Sequence, residues 1–407
     1  MSAEPQAVAP EFDSGLAAAL RRRIDAIRAG DVGSLPVVLG LIVIAAFFYS
    51  KNENYLSAAN FNNLIVQMAG VTTIAMGVVF VLLIGEIDLS IGFVSGVAGV
   101  VVAELQIPDG SWQVTGVVAI ALAVVVGGLI GAFQGSFVAF LGVPSFVVTL
   151  AGLLAWQGVI LTSIGIQGVI SIEDNSINNV ANYFFSDSWG WGIAGSATVL
   201  YAFMALWGVI GRRRHGITSD NLVLVVAGIL AIGALAFFAV YVSNQERGFP
   251  FAGLLVVVLL VFWTYVAKRT TFGRHVYAVG GNAEAARRAG IDVRRIRIQV
   301  FMISSGMAAL GGVIFASRLN SVDLNAGGGT ILLDAIAAAV IGGTSLFGGR
   351  GRVVSALLGA LIISTVANGI DLVGYSSGTK YMVTGAILLA AVTLDTVSRR
   401  RLAAAGR

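Results

Sequence analysis

Four acidic residues lie in stretches too apolar for ordinary solvated carboxylates. Glu86 and Asp88 fall in GEIDLSIG (85–92), Asp334 in LLDAIAAAVIGGTSLFGGRGR (332–352), and Asp371 just after Asn368. Acids at membrane depth are costly and mark ion ligands, proton carriers or contacts to polar cargo. The 332–352 run is the most informative. Eight residues after Asp334 come Gly342-Gly343-Thr344-Ser345, then Gly348-Gly349-Arg350-Gly351-Arg352, which break a helix and free backbone groups. Such breaks persist only where protein or a water-filled cavity satisfies them, so 342–345 is a candidate lining for a path.

Other chemistries are excluded by residue type. The chain has no cysteine, hence no disulfide, thiolate metal site or thiol nucleophile. It has no H-E-x-x-H zinc site, and its two histidines, His215 and His275, stand in basic stretches as surface residues. No G-x-x-x-x-G-K-[ST] cradle for nucleotide phosphates occurs either. No catalytic residue and no metal site are assigned.

These residues need a scaffold, and composition supplies its class. Of 407 residues 57% are hydrophobic and 11% charged, with a mean hydropathy of +0.90. Apolar runs of about 20 residues, the length that crosses a hydrocarbon core of about 30 Å, recur along the chain. The fold class is therefore an all-α polytopic membrane protein of about twelve transmembrane helices with broken, glycine-rich or re-entrant segments. The spans fall at 35–49, 64–84, 89–105, 114–141, 145–165, 193–210, 222–243, 249–266, 298–316, 331–347, 353–372 and 381–397. With both termini in the cytoplasm, only Lys51, Arg247, Arg318 and Lys380 of the 25 basic residues fall outside. The positive charge is thus topogenic, and nucleic acid is excluded as a partner. Were 331–347 to dip in without crossing, later segments would change sides. Residues 1–34 form a polar cytoplasmic extension, a signal peptide being the competing reading. The transmembrane core is 35–397, with 267–297 as its long cytoplasmic loop, and 398–407 is a basic cytoplasmic tail.

Two connections stand out. The outer loop 167–192 carries Glu173, Asp174, Asp187 and five aromatic residues, either an interfacial belt or a lid or docking surface. The cytoplasmic loop 267–297 holds a Gly280-Gly281 breaker, Asn282 as N-cap, Glu284 in the first turn, Arg287 and Arg288 in the last, and Gly290 as stop. That describes a short capped helix on the cytoplasmic face, unless it serves only to hold positive charge there.

Within the spans, Gly127, Gly131 and Gly135 share one face and admit a second helix, with Gln134 beside them. Gln134 and Asn368 both donate and accept, which suits polar cargo or, equally, interhelical hydrogen bonds. Pro144 and Ser145 open the next span, and Thr149 and Gln157 add polar groups within it. Asp88 has a second reading as a cap for the helix that opens at Leu89 and Ser90, with Glu86, Ser90 and Asp334 as hinge, cap or pathway residues.

The 267–297 segment resembles the cytoplasmic coupling loop of bacterial ABC sugar importer permeases of the ribose, xylose and galactose type. These belong to a superfamily with the branched-chain amino acid permeases. GEIDLSIG, GAFQGSFVAFLGVPSFVVTLAG (131–152) and LDAIAAAVIGGTSLFGGRGR are similar to the same family. RTTFGRHVYAVGGN (269–282), RLNS (318–321) and the extra span pair near 193–243 look closest to the xylose branch. The resemblance implies a sugar permease in the bacterial inner membrane with no cofactor of its own. ATP and Mg would be bound by cytosolic ATPase subunits, a second permease copy would complete the path, and an extracytoplasmic binding protein would deliver sugar. Gly280, Gly281, Asn282, Glu284, Arg287, Arg288 and Gly290 would then engage the ATPase. Gln134, Asn368 and 342–345 would meet passing sugar. Glu86 departs from the family, where glycine is more common. The alternative is an ion-coupled secondary transporter using Glu86, Asp88, Asp334 and Asp371.

Overall fold

The computed structural model describes residues 35–107, 112–214 and 222–404, so the expected 1–34 extension and His215 lie outside the described residues. Each of the twelve apolar stretches carries a helix. The first five are α1 Leu35–Lys51, α2 Ala58–Leu83, α3 Ile91–Glu104, α4 Gly116–Ser136 and α5 Ser145–Ile164. A short outer helix, α6 Asn175–Asn182, precedes α7 Asp187–Arg214, α8 Leu222–Ser243 and α9 Phe251–Arg269. Two short helices follow, α10 Thr271–Gly281 and α11 Ala283–Arg288, then α12 Val293–Leu319, α13 Ile331–Ile341, α14 Val353–Val373 and α15 Ser377–Ala404. Among the described residues eight helices (α2, α4, α5, α7, α8, α9, α12 and α14) are long and apolar enough to cross a bilayer.

The structure corrects several boundaries. The expected 331–347 span stops as a helix at Ile341. Its eleven residues rise about 16 Å, half the hydrocarbon thickness. The 89–105 span begins only at Ile91. Helix α7 starts at Asp187 and absorbs Trp189 and Trp191, shortening the outer loop. The long cytoplasmic connection is nearly all helical, and the last helix continues through most of the supposed tail to Ala404. The chain is also not wholly α-helical. Among the described residues two antiparallel ribbons form outside the helices: β1 Val169–Ser171 with β4 Ser321–Asp323, and β2 Phe184–Phe185 with β3 Phe249–Pro250.

Helices α2, α12 and α14 make the interior, while α7 and α8 pack chiefly on each other at the edge. Glycines set the central approach. A Cβ on Gly70 would stand 2.6 Å from the Phe315 ring, on Gly311 2.5 Å from Ile74, and on Gly77 2.9 Å from Met307 and the Ser304 carbonyl. Residue numbers rise on one helix as they fall on the other, so α2 and α12 run antiparallel. The Gly127, Gly131 and Gly135 stripe of α4 lies against Ala309, Phe301 and Ile298 of α12, which close backbone approach requires.

An internal repeat accounts for this arrangement. Gly77-Val78-Val79-Phe80 in α2 is followed by Asp88-Leu89-Ser90-Ile91-Gly92. At the same spacing, Gly312-Val313-Ile314-Phe315 in α12 is followed by Asp323-Leu324-Asn325-Ala326-Gly327. In both, a residue in the left-handed region stands three positions before the aspartate: Gly85 at φ 76° and Asn320 at φ 52°. In both, the aspartate Oδ1 accepts the backbone N–H two residues on, at 3.0 Å. Each unit is thus a long helix, an irregular turn and a short helix, and the two run in opposite directions as an inverted repeat.

Candidate translocation and coupling sites

The turn at 84–90 gathers the first buried polar cluster. Asp88 Oδ1 accepts the Ser90 N–H at 3.0 Å and lies 2.7 Å from the Ser90 hydroxyl, while Oδ2 accepts the Ser304 hydroxyl at 3.1 Å. The Ser90 hydroxyl also reaches Gln134 Oε1 at 2.9 Å. Gln134 Nε2 has no partner among the described residues and fills the space that Gly152 leaves open on α5. Asp88 therefore ties the start of α3 to α12, and Gln134 faces protein. Ser145 Oγ accepts the Ile87 N–H at 3.2 Å, so the opening of α5 holds the same turn.

Glu86 points the other way. Its Oε1 lies 3.1 Å from Arg297 Nε in the first turns of α12, with side chains 14% and 31% exposed. An ion pair at this exposure contributes on the order of 1 kcal/mol. It joins the irregular turn to the helix that follows α11 directly.

Helix α11 has the expected local signals. The Asn282 side chain accepts the Ala285 N–H at 2.9 Å, and Gly290 at φ 86° ends the helix with Ile291 N–H donating to the Ala286 carbonyl at 3.0 Å. Arg287 and Arg288 are exposed and both pair with Glu284, at 2.6 Å and 3.2 Å. The glycine pair is not a breaker, however. Both residues end α10 in helical conformation, and the chain turns at Asn282. A Cβ on Gly281 would meet nothing, whereas one on Gly280 would strike the Leu83 carbonyl and stand 2.9 Å from the Gly349 nitrogen. Gly280 is thus the close-approach residue.

That contact relocates the glycine-rich segment. Residues 342–351 fold into a compact loop whose backbone groups are largely satisfied locally: Gly343 N–H to Val340 O at 2.9 Å, Thr344 N–H to Ala339 O at 3.0 Å and Ser345 N–H to Arg350 O at 2.9 Å. Gly342 abuts the Ser355 carbonyl, and Thr344 and Ser345 are buried. Gly349 N–H donates to Leu83 O at 2.9 Å, and the Tyr277 hydroxyl donates to Gly351 O at 2.9 Å. Burial pushes the Tyr277 hydroxyl up, partly offset by Arg352. The loop thereby seats α10 on the ends of α2 and α13, and its freed groups are not held open for a ligand.

Asn368 joins a second cluster at the opposite end of α2. Its amide exchanges hydrogen bonds with Asn60, at 2.9 Å and 3.0 Å, and donates to Gln67 Oε1 at 3.2 Å. Asn60 also donates to the Tyr55 carbonyl at 2.8 Å. Tyr55 donates to Thr365 O at 3.0 Å, and burial pushes its pKa up to about 12. Asp371 pairs with Lys380 at 2.8 Å. Asp334, separate from both clusters, accepts the Thr330 hydroxyl at 2.6 Å, its other oxygen unpartnered among the described residues. The described residues contain no grouping of three or more His, Cys, Asp or Glu that could hold a metal ion.

Comparison with known proteins matches residues 60–392 to the branched-chain amino acid transport system/permease component family. The chain belongs to this permease family. It is 39% identical over 371 residues to the xylose transport system permease protein XylH of Escherichia coli K12, covering 90% of this chain and 92% of that one. It is 35% identical to XylH of Haemophilus influenzae, covering 90% and 96%. Against the ribose import permease protein RbsC of E. coli K12 the figures are 30% identity, 88% and 92%. No solved structure matches. Family membership and the apolar helices make the permease a multi-pass protein of the bacterial inner membrane.

Several residues of this permease escaped sequence reasoning: Arg297, Ser304, Tyr277, Asn60, Gln67 and Asp323. The repeated D-L-[SN]-x-G would have revealed Asp323. The others are ordinary polar residues whose partners lie on distant segments.

Proposed function

We propose that this chain is the permease subunit of an ATP-binding-cassette importer that moves a monosaccharide, xylose or a related sugar. It has no ATP site of its own. About twelve apolar segments thread the membrane, α3 and α13 as short helices completed by the irregular chain beside them, with both termini in the cytoplasm, and a second copy completes the path. Cytosolic ATPase subunits hold ATP and Mg, and an extracytoplasmic binding protein delivers the sugar. The relatives named as xylose and ribose permeases support the cargo class.

The observation that carries the mechanism is the seating of α10 and α11. A capped, exposed helix projects its charged face outward, while α10 behind it rests on Leu83 and on the 342–351 loop. Force applied to α11 therefore reaches the end of α2 through Gly280, and passes along the chain into the start of α12 and from there to the 84–90 turn through Arg297 and Glu86. An ion-coupled carrier has no ATPase to receive such a helix. Its supposed ion ligands are also dispersed: Glu86 is taken by Arg297, Asp88 by Ser90 and Ser304, and Asp371 by Lys380.

The test is radiolabelled xylose uptake into vesicles containing permease, ATPase and binding protein. Uptake is expected only with ATP inside. Uptake driven by a sodium or proton gradient without ATP would overturn the reading.

A further inference from the structure

The two turns of the inverted repeat are built alike yet bury opposite faces. In the inner turn, Asp88 and Ser90 are 4% and 0% exposed while Ile87 is 36% exposed. In the outer turn the pattern reverses: Val322, which corresponds to Ile87, is 3% exposed, Asp323 is half-buried and Asn325 is exposed.

Each state has a visible cause. The inner turn is drawn inward by Ser304 and Gln134 around Asp88 and Ser90, and is fastened by Glu86 to Arg297. The outer turn is rotated the other way by its strand, in which Val322 pairs opposite the buried Ile170, and by the Ile172 N–H donated to the Asn320 carbonyl at 2.9 Å. The two turns share the D-L-[SN]-x-G pattern and the same aspartate-to-N–H bond, and the molecule holds one in each orientation, as the two halves of an inverted repeat do when only one side of a path is open. Between them, Gly92 of α3 and Gly327 of the outer turn abut with no side chain intervening, so the outer turn packs directly on the short helix of the inner unit.

We propose that the Asp88 turn and the Asp323 turn are the inner and outer gates of one sugar path, and that they exchange exposure during transport. The conformation described has the outer gate turned out and the inner gate turned in. Each gate carries a carboxylate and, two residues on, a polar side chain, Asp88 with the Ser90 hydroxyl bonded to it and Asp323 with Asn325, whose backbone N–H it accepts; such groups suit the hydroxyls of an uncharged sugar. The proposal rests on the importer reading and adds to it which residues meet the sugar on each side.

The natural absence of cysteine makes the test direct. Ser90→Cys, Ile87→Cys and Asn325→Cys are introduced singly into the full chain, assembled with its ATPase subunits in nanodiscs. Their reaction rates with a hydrophilic maleimide are compared without nucleotide and after trapping with ATP and vanadate. The expected result is a change of about tenfold at each position, opposite in sign for Ser90→Cys and Asn325→Cys, with Ile87→Cys following Asn325→Cys. Should Ser90→Cys fail to assemble, the exposed Ile87→Cys reports the same turn. Constant rates at either turn, or changes of the same sign at Ser90→Cys and Asn325→Cys, overturn the exchange. ATP-driven xylose uptake by the unsubstituted chain is measured in parallel. If uptake is present while the rates are constant, the gates fall and the importer stands; if uptake is absent, the importer reading itself fails.

Discussion

Gly92 and Gly327, the matching glycines of the inverted repeat, touch backbone to backbone where α3 meets the segment leading into α13. A Cβ on Gly92 would lie 2.7 Å from the Gly327 carbonyl oxygen, and one on Gly327 would strike the Gly92 carbonyl in return. Neither neighbour can yield, because both are main chain. Gly92→Ala is expected to destabilise the purified protein by about 1–3 kcal/mol through overpacking. Gly327→Ala should cost more, since Gly327 also stands at φ 75°. Thermal unfolding in detergent checks the order; equal stability of Gly92→Ala and the unsubstituted chain contradicts it.

The two coupling glycines separate cleanly. Gly280→Ala pushes α10 off the Leu83 carbonyl and is expected to lower sugar uptake per ATP hydrolysed severalfold, an order-of-magnitude effect at most. Gly281→Ala meets open space and should leave uptake and stability nearly unchanged. Paired uptake and ATPase assays in vesicles decide this, and a larger defect at Gly281 would reverse the assignment.

The Glu86 and Arg297 pair predicts rescue by exchange. Glu86→Arg or Arg297→Glu alone places like charges together and should weaken coupling of ATP hydrolysis to uptake. The double exchange should restore much of it, with a coupling energy of about 1 kcal/mol in a double-mutant cycle of stability. Additive single effects would show that the two side chains act independently.

Asn60 and Asn368 satisfy one another, so removing one leaves a buried amide unpaired. Asn368→Leu is expected to cost about 1–2 kcal/mol, and Asn60→Leu with Asn368→Leu less than the sum of the single changes. If uptake falls while stability is unchanged, Asn368 acts on the cargo and not on helix packing.

Tyr277 offers a check through pH. Because burial raises its hydroxyl, the phenol stays protonated and keeps donating to Gly351 throughout the neutral range. The contribution of this bond is present below the raised pKa and is lost only as pH climbs through it. Tyr277→Phe should therefore reduce stability by about 1 kcal/mol, equally at mildly acidic and mildly alkaline pH. A difference that grows between those two conditions would contradict the protonated donor.

Much of this molecule is written locally. The apolar lengths placed every long helix, and Asn282, Glu284 and Gly290 marked the start and stop of α11, since caps are set by residues three or four positions apart. The spacing of Gly127, Gly131 and Gly135 likewise announced a close helix neighbour. What the residues did not disclose was the identity of any neighbour. In a bilayer both buried and lipid-facing sides of a helix are apolar, so periodicity cannot say which face turns inward. Only the packed structure brought Glu86 to Arg297, Asn368 to Asn60, and the 342–351 loop to Gly280. It also converted an expected opening at membrane depth into a seat for α10, because glycines that can release a backbone also let another backbone fit against it.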